Sequence, residues 1–311
     1  MHFPRVTAAL ACASFLYGGA ALAQDGADAA QEEPAAIETA AEQGVLGAPA
    51  LWKVADEDTT IYLFGTVHAL PKGIEWSSNM LDNALAESDS IVTEIKMGPE
   101  MAQEMQSLVM SKGVLPPGTT LRSLLTEEQN AAYEEAMAKL SMPPAAFDQY
   151  EPWYAGMLMS MLPLLQQGYS PDDGVEKLLL TKAGGKQQEA LETIAFQISV
   201  FDELPQDSQI GFLVDAAEGI DQIKPLLDQM LAEWVEGDAH ALATLMNEGL
   251  TDPALAESLL YKRNRNWADW IGTRLDEPGT VFIAVGAGHL AGDKSVQEYL
   301  KAREIETVRV Q

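Results

Sequence analysis

The sequence predicts an α/β protein whose mixed central sheet is built from its N- and C-terminal segments, with a large helical block between them. Three observations lead there. Apolar, β-branched runs gather at the two ends of the domain: Leu51–Val54, Thr59–Phe64 and Ser90–Ile95 on one side, Thr280–Val285 and Glu306–Val310 on the other. Most of the chain from residue 98 to 274 reads as helix. And two of the runs end alike. Ile61-Tyr-Leu-Phe-Gly65-Thr-Val-His68 and Val281-Phe-Ile-Ala-Val-Gly286-Ala-Gly-His289 each pass from a buried strand through Gly, two residues and His. One sheet made from both ends requires those ends to meet. His68 and His289 then lie just past strand termini, where open α/β sheets place their binding sites.

The chain opens with a processing signal. Arg5 supplies a weak positive n-region, Val6 to Leu22 is apolar and small, and Ala21-Leu22-Ala23 is an A-x-A cleavage signature. A membrane anchor is the alternative, and Gly18, Gly19 and the many alanines argue against it; Ala9-Leu10-Ala11-Cys12 is a poor lipobox. Residues 1–23 are therefore expected to be removed, leaving an exported, periplasmic or secreted protein. Residues 24–48 are rich in Ala, Glu and Gln, lack large apolar side chains, and read as a disordered acidic tether. Residues 49–311 are long enough for one α/β domain.

Cys12 is the only cysteine. Its removal excludes disulfides, thiolate nucleophiles and Cys-based zinc sites, so any metal falls to His, carboxylate and water. Forty-seven acidic against 19 basic residues give a formal net charge of −28. Such a surface repels nucleic acid and anionic membranes and draws in cations.

In order, Leu51–Val54 and Thr59–Phe64 flank Ala55-Asp-Glu-Asp58 as a hairpin, and Ala69–Gly73 reads as a loop. A helix that follows Ser77-Ser78-Asn79 and runs to about Glu87, then a strand Ser90–Ile95, complete a βαβ unit, for which parallel pairing is expected. Helices follow at Met101–Lys112, after the Thr-x-x-Gln capping signature at Thr126, and at Trp153–Gln167, where Pro163 and the short length favour a core helix over a membrane span. Gly174-Val-Glu176 starts another helix, which stops at Ala183-Gly-Gly-Lys186. Gln187–Glu192 reads as a short strand, and helices fill 193–274, broken near Leu204-Pro205 and Thr251-Asp-Pro253. The strand to Val285, the Gly286-Ala-Gly-His289 turn, a helix at Asp293–Arg303 and a last strand close the chain.

His68 and His289 are the first chemical candidates, because neutral imidazole is both a metal ligand and a general base. Glu94, set among β-branched residues, either faces solvent or meets a cation. Two His and one carboxylate form a ligand set for Zn²⁺, Mn²⁺ or Fe²⁺. Glu192, with Gln197 five residues on, is a further ligand or the base for a bound water. Arg263, beside Asn264 on a helix whose apolar face carries Trp267, Trp270 and Ile271, pairs with a site carboxylate or an oxyanion. His240 also follows Gly by three, but no strand precedes it, and it reads as a surface residue. The Gly-x-Ser-x-Gly elbow, His-Glu-x-x-His and phosphate-loop patterns are absent.

Leu51-Trp-Lys-Val54, Tyr62-Leu-Phe-Gly-Thr-Val-His68, Glu94, Glu151-Pro-Trp153, Leu191-Glu-Thr193 with Gln197, Arg263-Asn264 and Gly286-Ala-Gly-His-Leu290 together resemble the TraB/PrgY/GumN family, especially its exported GumN-like branch. The resemblance spans nearly all of 50–311. It implies a fold similar to the TIKI metalloproteases and the erythromycin-esterase/ChaN-like group. It implies a centre at His68, His289 and Glu94 holding a divalent ion (Mn, Co or Zn), with Glu192 and Arg263 as further members. One departure is Glu176, where Asp is expected, and its extra methylene argues against a role. The reading is an exported metal-dependent hydrolase acting on a peptide or small molecule. A peptide-sequestering protein without turnover and a metal-independent hydrolase with His68 as base stay open beside it.

Overall fold

A computed structural model describes residues 48–311. The expected signal peptide and all of the tether before residue 48 lie outside the described residues.

The hairpin forms as its sequence directs. Strands β1 (Leu51–Ala55) and β2 (Thr59–Thr66) pair antiparallel. Asp56 closes the turn by accepting from the backbone N–H of Thr59 at 2.8 Å. Then come β3 (Leu70–Pro71), helix α1 (Asn79–Glu87, capped by Ser78) and β4 (Ser90–Ile95), every residue of which is buried. The helical block contains α2 (Met101–Lys112), α3 (Glu127–Lys139) and α4 (Pro152–Gln166). The Thr126–Gln129 capping box starts α3. Strand β5 (Tyr169–Ser170), helix α5 (Val175–Ala183), strand β6 (Gln187–Glu192) and helices α6 (Ile194–Asp202), α7 (Gln206–Glu218), α8 (Ile223–Glu236) and α9 (Ala239–Gly249) follow. Helix α10 (Pro253–Ala256) runs through a π-turn at Glu257–Tyr261 into α11 (Lys262–Arg274). Strand β7 (Gly279–Gly286), helix α12 (Val296–Lys301) and strand β8 (Val308–Arg309) end the chain.

The main sheet has the order β6-β4-β7-β2-β1-β8. Its β6-β4-β7-β2 part is parallel, and β1 and β8 continue it antiparallel. It is thus a mixed, mostly parallel sheet joining both ends of the chain. The βαβ expectation is corrected in one respect. β2 and β4 run parallel but do not pair, because β7 from the far end of the sequence lies between them. β7 can take that place because its five residues Val281–Val285 are all buried and apolar, as a central parallel strand needs. The loop expected at Ala69–Gly73 is also revised: Leu70–Pro71 pairs with Tyr169–Ser170 in a small second sheet.

The two faces of the sheet bury separate cores. On one, Ile61, Leu63, Val281 and Ile283 pack on Trp267 and Ile271 of α11 and Val296 and Leu300 of α12. On the other, Phe64, Phe282 and Ala284 pack into the helical block. Helix α4 lies in the interior of that block. Its Gly156 meets α7 so closely that a Cβ there would stand 2.8 Å from the Phe212 ring. Among the described residues no helix is long and apolar enough to cross a membrane.

Candidate functional site

The four parallel strands all deliver a polar residue at their carboxyl ends. β2 leads to His68, β4 carries Glu94, β6 ends on Glu192, and β7 leads to His289. Thr66 of β2 stands opposite Gly286 of β7, and Ile95 of β4 opposite Glu192. The register alone therefore brings these side chains to one edge.

Glycine makes the approach possible. A Cβ on Gly65 would stand 2.9 Å from the Ala287 Cα, so the end of β2 and the turn after β7 touch through backbone. A Cβ on Gly286 would lie 3.1 Å from Glu94 Oε1 and 3.3 Å from His68 Nε2, in the space the three groups share. Gly174, at the start of α5, abuts the His68 carbonyl, and the Val175 N–H donates to the Val67 carbonyl at 3.0 Å. That contact seats the first turn of α5 beneath His68.

Each histidine is held by its Nδ1. His68 Nδ1 is 2.5 Å from Glu176 Oε1, which also accepts from the Thr66 hydroxyl. His289 Nδ1 is 2.5 Å from Asn264 Oδ1. Asn264 presents that oxygen because its Nδ2 donates to the Lys294 carbonyl at 2.8 Å. Both Nε2 atoms stand 4.0 Å from the same atom, Glu94 Oε1, so they are separated by at most twice that distance.

Arg263 is the hub, 1 % exposed. Nη2 donates to Glu94 Oε2 at 2.5 Å and to Glu192 Oε2 at 2.9 Å; Nε donates to Glu192 Oε1 at 2.9 Å. Nη1 donates to the Leu259 carbonyl at 3.0 Å and lies 3.1 Å from His289 Nε2. All five guanidinium N–H groups therefore have acceptors. Gln197 bridges Glu94 and Glu192, and the Trp267 indole donates to Glu192 at 2.8 Å while its ring packs 4.2 Å from that of His289.

The charges follow from these contacts. Burial would raise the pKa of Glu94, but Arg263, the two histidines and the Gly286 N–H, 2.7 Å away, outweigh it and bring it down to about 2. Burial and Arg263 push His289 well below its usual value. For His68, burial works downward, but Glu176 and Glu94 prevail and its pKa is raised. An arginine cannot accept a hydrogen bond, so Nη1 fixes the His289 tautomer: Nδ1 carries the proton and Nε2 the lone pair.

The donor types, two imidazoles and a carboxylate, suit a divalent cation; the spacing and one partner would have to change. Two donors share an ion when their separation does not exceed two bonds of about 2.0–2.2 Å; each Nε2 lies 4.0 Å from Glu94 Oε1, at the edge of that limit, so the three side chains would have to draw together around an ion. Both imidazoles are oriented through Nδ1, as metal-bound histidines usually are. At His289, however, the lone pair already receives Arg263, which would have to yield it. Among the described residues no group of three or more His, Cys, Asp or Glu side chains is closed around a metal position.

The structure thus brings His68, Glu94, Glu192, Arg263 and His289 together. His240 is exposed, as the sequence reading has it. Glu176, discounted for its length, turns out to be the partner of His68. Thr66 and Trp267 also escaped sequence reasoning. The only hint for Thr66 was its place between Gly65 and His68, and Trp267 read as an apolar helix face. Beside the two histidines opens a cavity of about 880 Å³, counted out to its mouth, with walls of mainly Leu and Met side chains.

Fold and site define a class: mixed α/β proteins with a buried cluster of two histidines, glutamates and an arginine at the carboxyl ends of parallel strands. The chain belongs to the TraB/PrgY/gumN family, whose model matches residues 50–309. It is similar to the uncharacterized protein YbaP of Escherichia coli strain K12, 27% identical over 196 residues, 60% of this chain and 70% of that protein. It is also similar to an uncharacterized protein of Treponema pallidum, 21% identical over 275 residues, 82% of this chain and 80% of that one. No solved structure matches the chain.

Proposed function

We propose that the protein is an exported metal-dependent hydrolase whose divalent ion is held by His68 Nε2, Glu94 Oε1 and His289 Nε2. The observation that carries this reading is the convergence of the two Nε2 atoms on one carboxylate oxygen, each ring locked through its other nitrogen. When bound, such an ion acidifies a water molecule and polarises a carbonyl oxygen. The residues of the chain supply the rest. Glu176 and Asn264 orient the imidazoles, and Arg263 keeps Glu94 ionised. Glu192, whose oxygens are engaged by Arg263, Gln197 and Trp267, serves in this reading to hold the arginine rather than to take a proton. The apolar cavity shields the reacting groups from bulk water. In the reaction the water oxygen bonds to the carbonyl carbon, the bond to the leaving oxygen or nitrogen breaks, and the leaving group takes up the proton that water releases. The reading draws support from membership of the TraB/PrgY/gumN family, whose motifs imply a fold like that of the TIKI metalloproteases and the erythromycin-esterase group, and export rests on the N-terminal apolar run.

The test is the metal content of protein purified without chelator, for the wild type and for His68→Ala and His289→Ala, followed by peptide and ester hydrolysis with and without chelator. About one ion per chain, lost in both variants, and chelator-sensitive turnover are expected. Undiminished turnover by metal-free protein overturns the proposal.

One contact favours a second reading, a metal-independent esterase. Arg263 already occupies the His289 lone pair, while Glu176 raises the basicity of His68. Turnover that resists chelator but is lost in both His68→Ala and Glu176→Ala is its mark.

A further inference from the structure

The cavity beside the histidines has a wall chemistry that narrows the substrate. It begins at His68 and His289 and runs between Leu164 of α4, Leu227 and Met230 of α8, Leu242 and Met246 of α9, and Leu259 of the π-turn. The hydroxyls at its rim are already committed, Tyr169 to Asp228 at 2.7 Å and Thr66 to Glu176. The apolar wall reaches the chemistry itself. Met246 packs so tightly on Gly288, one residue before His289, that a Cβ there would overlap its terminal methyl.

We propose that this cavity takes the hydrocarbon chain of a fatty-acyl ester or amide, with the carbonyl at the His68–His289 end. The inference rests on the hydrolase reading above and names its substrate class. A peptide in extended form brings one backbone donor and one acceptor per residue. Buried against leucine and methionine side chains, these would lose water and gain no partner, a cost that a methylene chain does not incur. Methionine adds adaptability, since its unbranched thioether follows the shape of a flexible chain.

Chain binding is measured apart from catalysis by calorimetric titration of chelator-treated wild-type protein with hexanol, octanol and decanol. Saturable binding at one site is expected, tightening about tenfold for each two-carbon step until the cavity is full. Leu242→Trp and Met246→Trp, checked for folding by circular dichroism, are expected to weaken decanol at least about tenfold and shift the preference to shorter chains. Hydrolysis of 4-nitrophenyl acetate, hexanoate and decanoate by metal-loaded protein is expected to follow the same order. Absent saturation, or wild-type affinity independent of length, overturns the acyl assignment. Turnover of esters with a flat length profile does so as well, while leaving the hydrolase reading intact. Chain-length-dependent binding without turnover of any ester leaves the cavity assignment standing and removes the hydrolase reading.

Discussion

Nη1 of Arg263 stands 3.1 Å from Nε2 of His289, and both groups are buried. A guanidinium beside an imidazole keeps the ring neutral and aims its lone pair at the arginine. The same guanidinium draws Glu94 and Glu192 together from strands β4 and β6. One side chain therefore sets the charge of a carboxylate and the tautomer of a histidine, and it holds together carboxylates from two neighbouring strands.

Arg263→Ala leaves two buried carboxylates without their cation. Removing one partner of a buried ion pair costs about 3–5 kcal/mol, so urea unfolding should show a loss of that size. Arg263→Lys restores the charge but not the planar set of donors and should recover only part of it. A loss under about 1 kcal/mol, the size of a surface pair, would contradict the hub role.

Glu176 acts through His68. Glu176→Ala removes the acceptor at Nδ1 and should weaken Mn²⁺ or Zn²⁺ binding by about 10- to 100-fold, measured by titration calorimetry, with the fold retained. Glu176→Gln still presents an oxygen to Nδ1 and should recover most of the affinity. Equal affinities for all three proteins would show that His68 does not depend on this contact.

Two glycine substitutions should separate folding from site access. In Gly65→Ala the new methyl meets backbone at 2.9 Å, so the end of β2 and the turn after β7 must part. Overpacking of this kind costs about 1–3 kcal/mol and should lower the melting temperature. In Gly286→Ala the methyl enters the space between Glu94 and His68. It should lower metal affinity and turnover more than Gly65→Ala does, with the smaller loss of stability.

The Glu94 carboxyl has a folded pKa of about 2 against an ordinary 4.5. A depressed carboxylate contributes stability that is complete above the unfolded value and lost as pH falls through the folded one. In chelator-treated protein, denaturant midpoints should therefore fall from pH 4.5 toward pH 2. Glu94→Gln should flatten that slope, and an unchanged slope would place the acid sensitivity elsewhere.

Much of the local structure was legible. The bounds of β4 and α2 agree with the runs read from the sequence, and the capping signature at Thr126 starts α3. The Gly-x-x-His pair pointed to an edge shared by both ends of the chain. The insertion of β7 between β2 and β4 was not legible, because strand order depends on which buried faces match and not on sequence proximity. The Glu176–His68 contact was hidden for a similar reason. Side-chain length was weighed without knowing that Gly174 presses the start of α5 onto the His68 backbone.

The amino-acid sequence by itself determined the elements, the apolar faces and the supply of imidazole and carboxylate, since these follow from periodicity, turn chemistry and residue type along a few neighbouring positions. Only the tertiary structure decided that Arg263 binds Glu94, Glu192 and His289 at once, and that Glu176 and Asn264 hold the two rings. Those partners lie far apart along the chain. Burial made their pairing compulsory, because a charge removed from water must find its counterpart wherever the fold brings one.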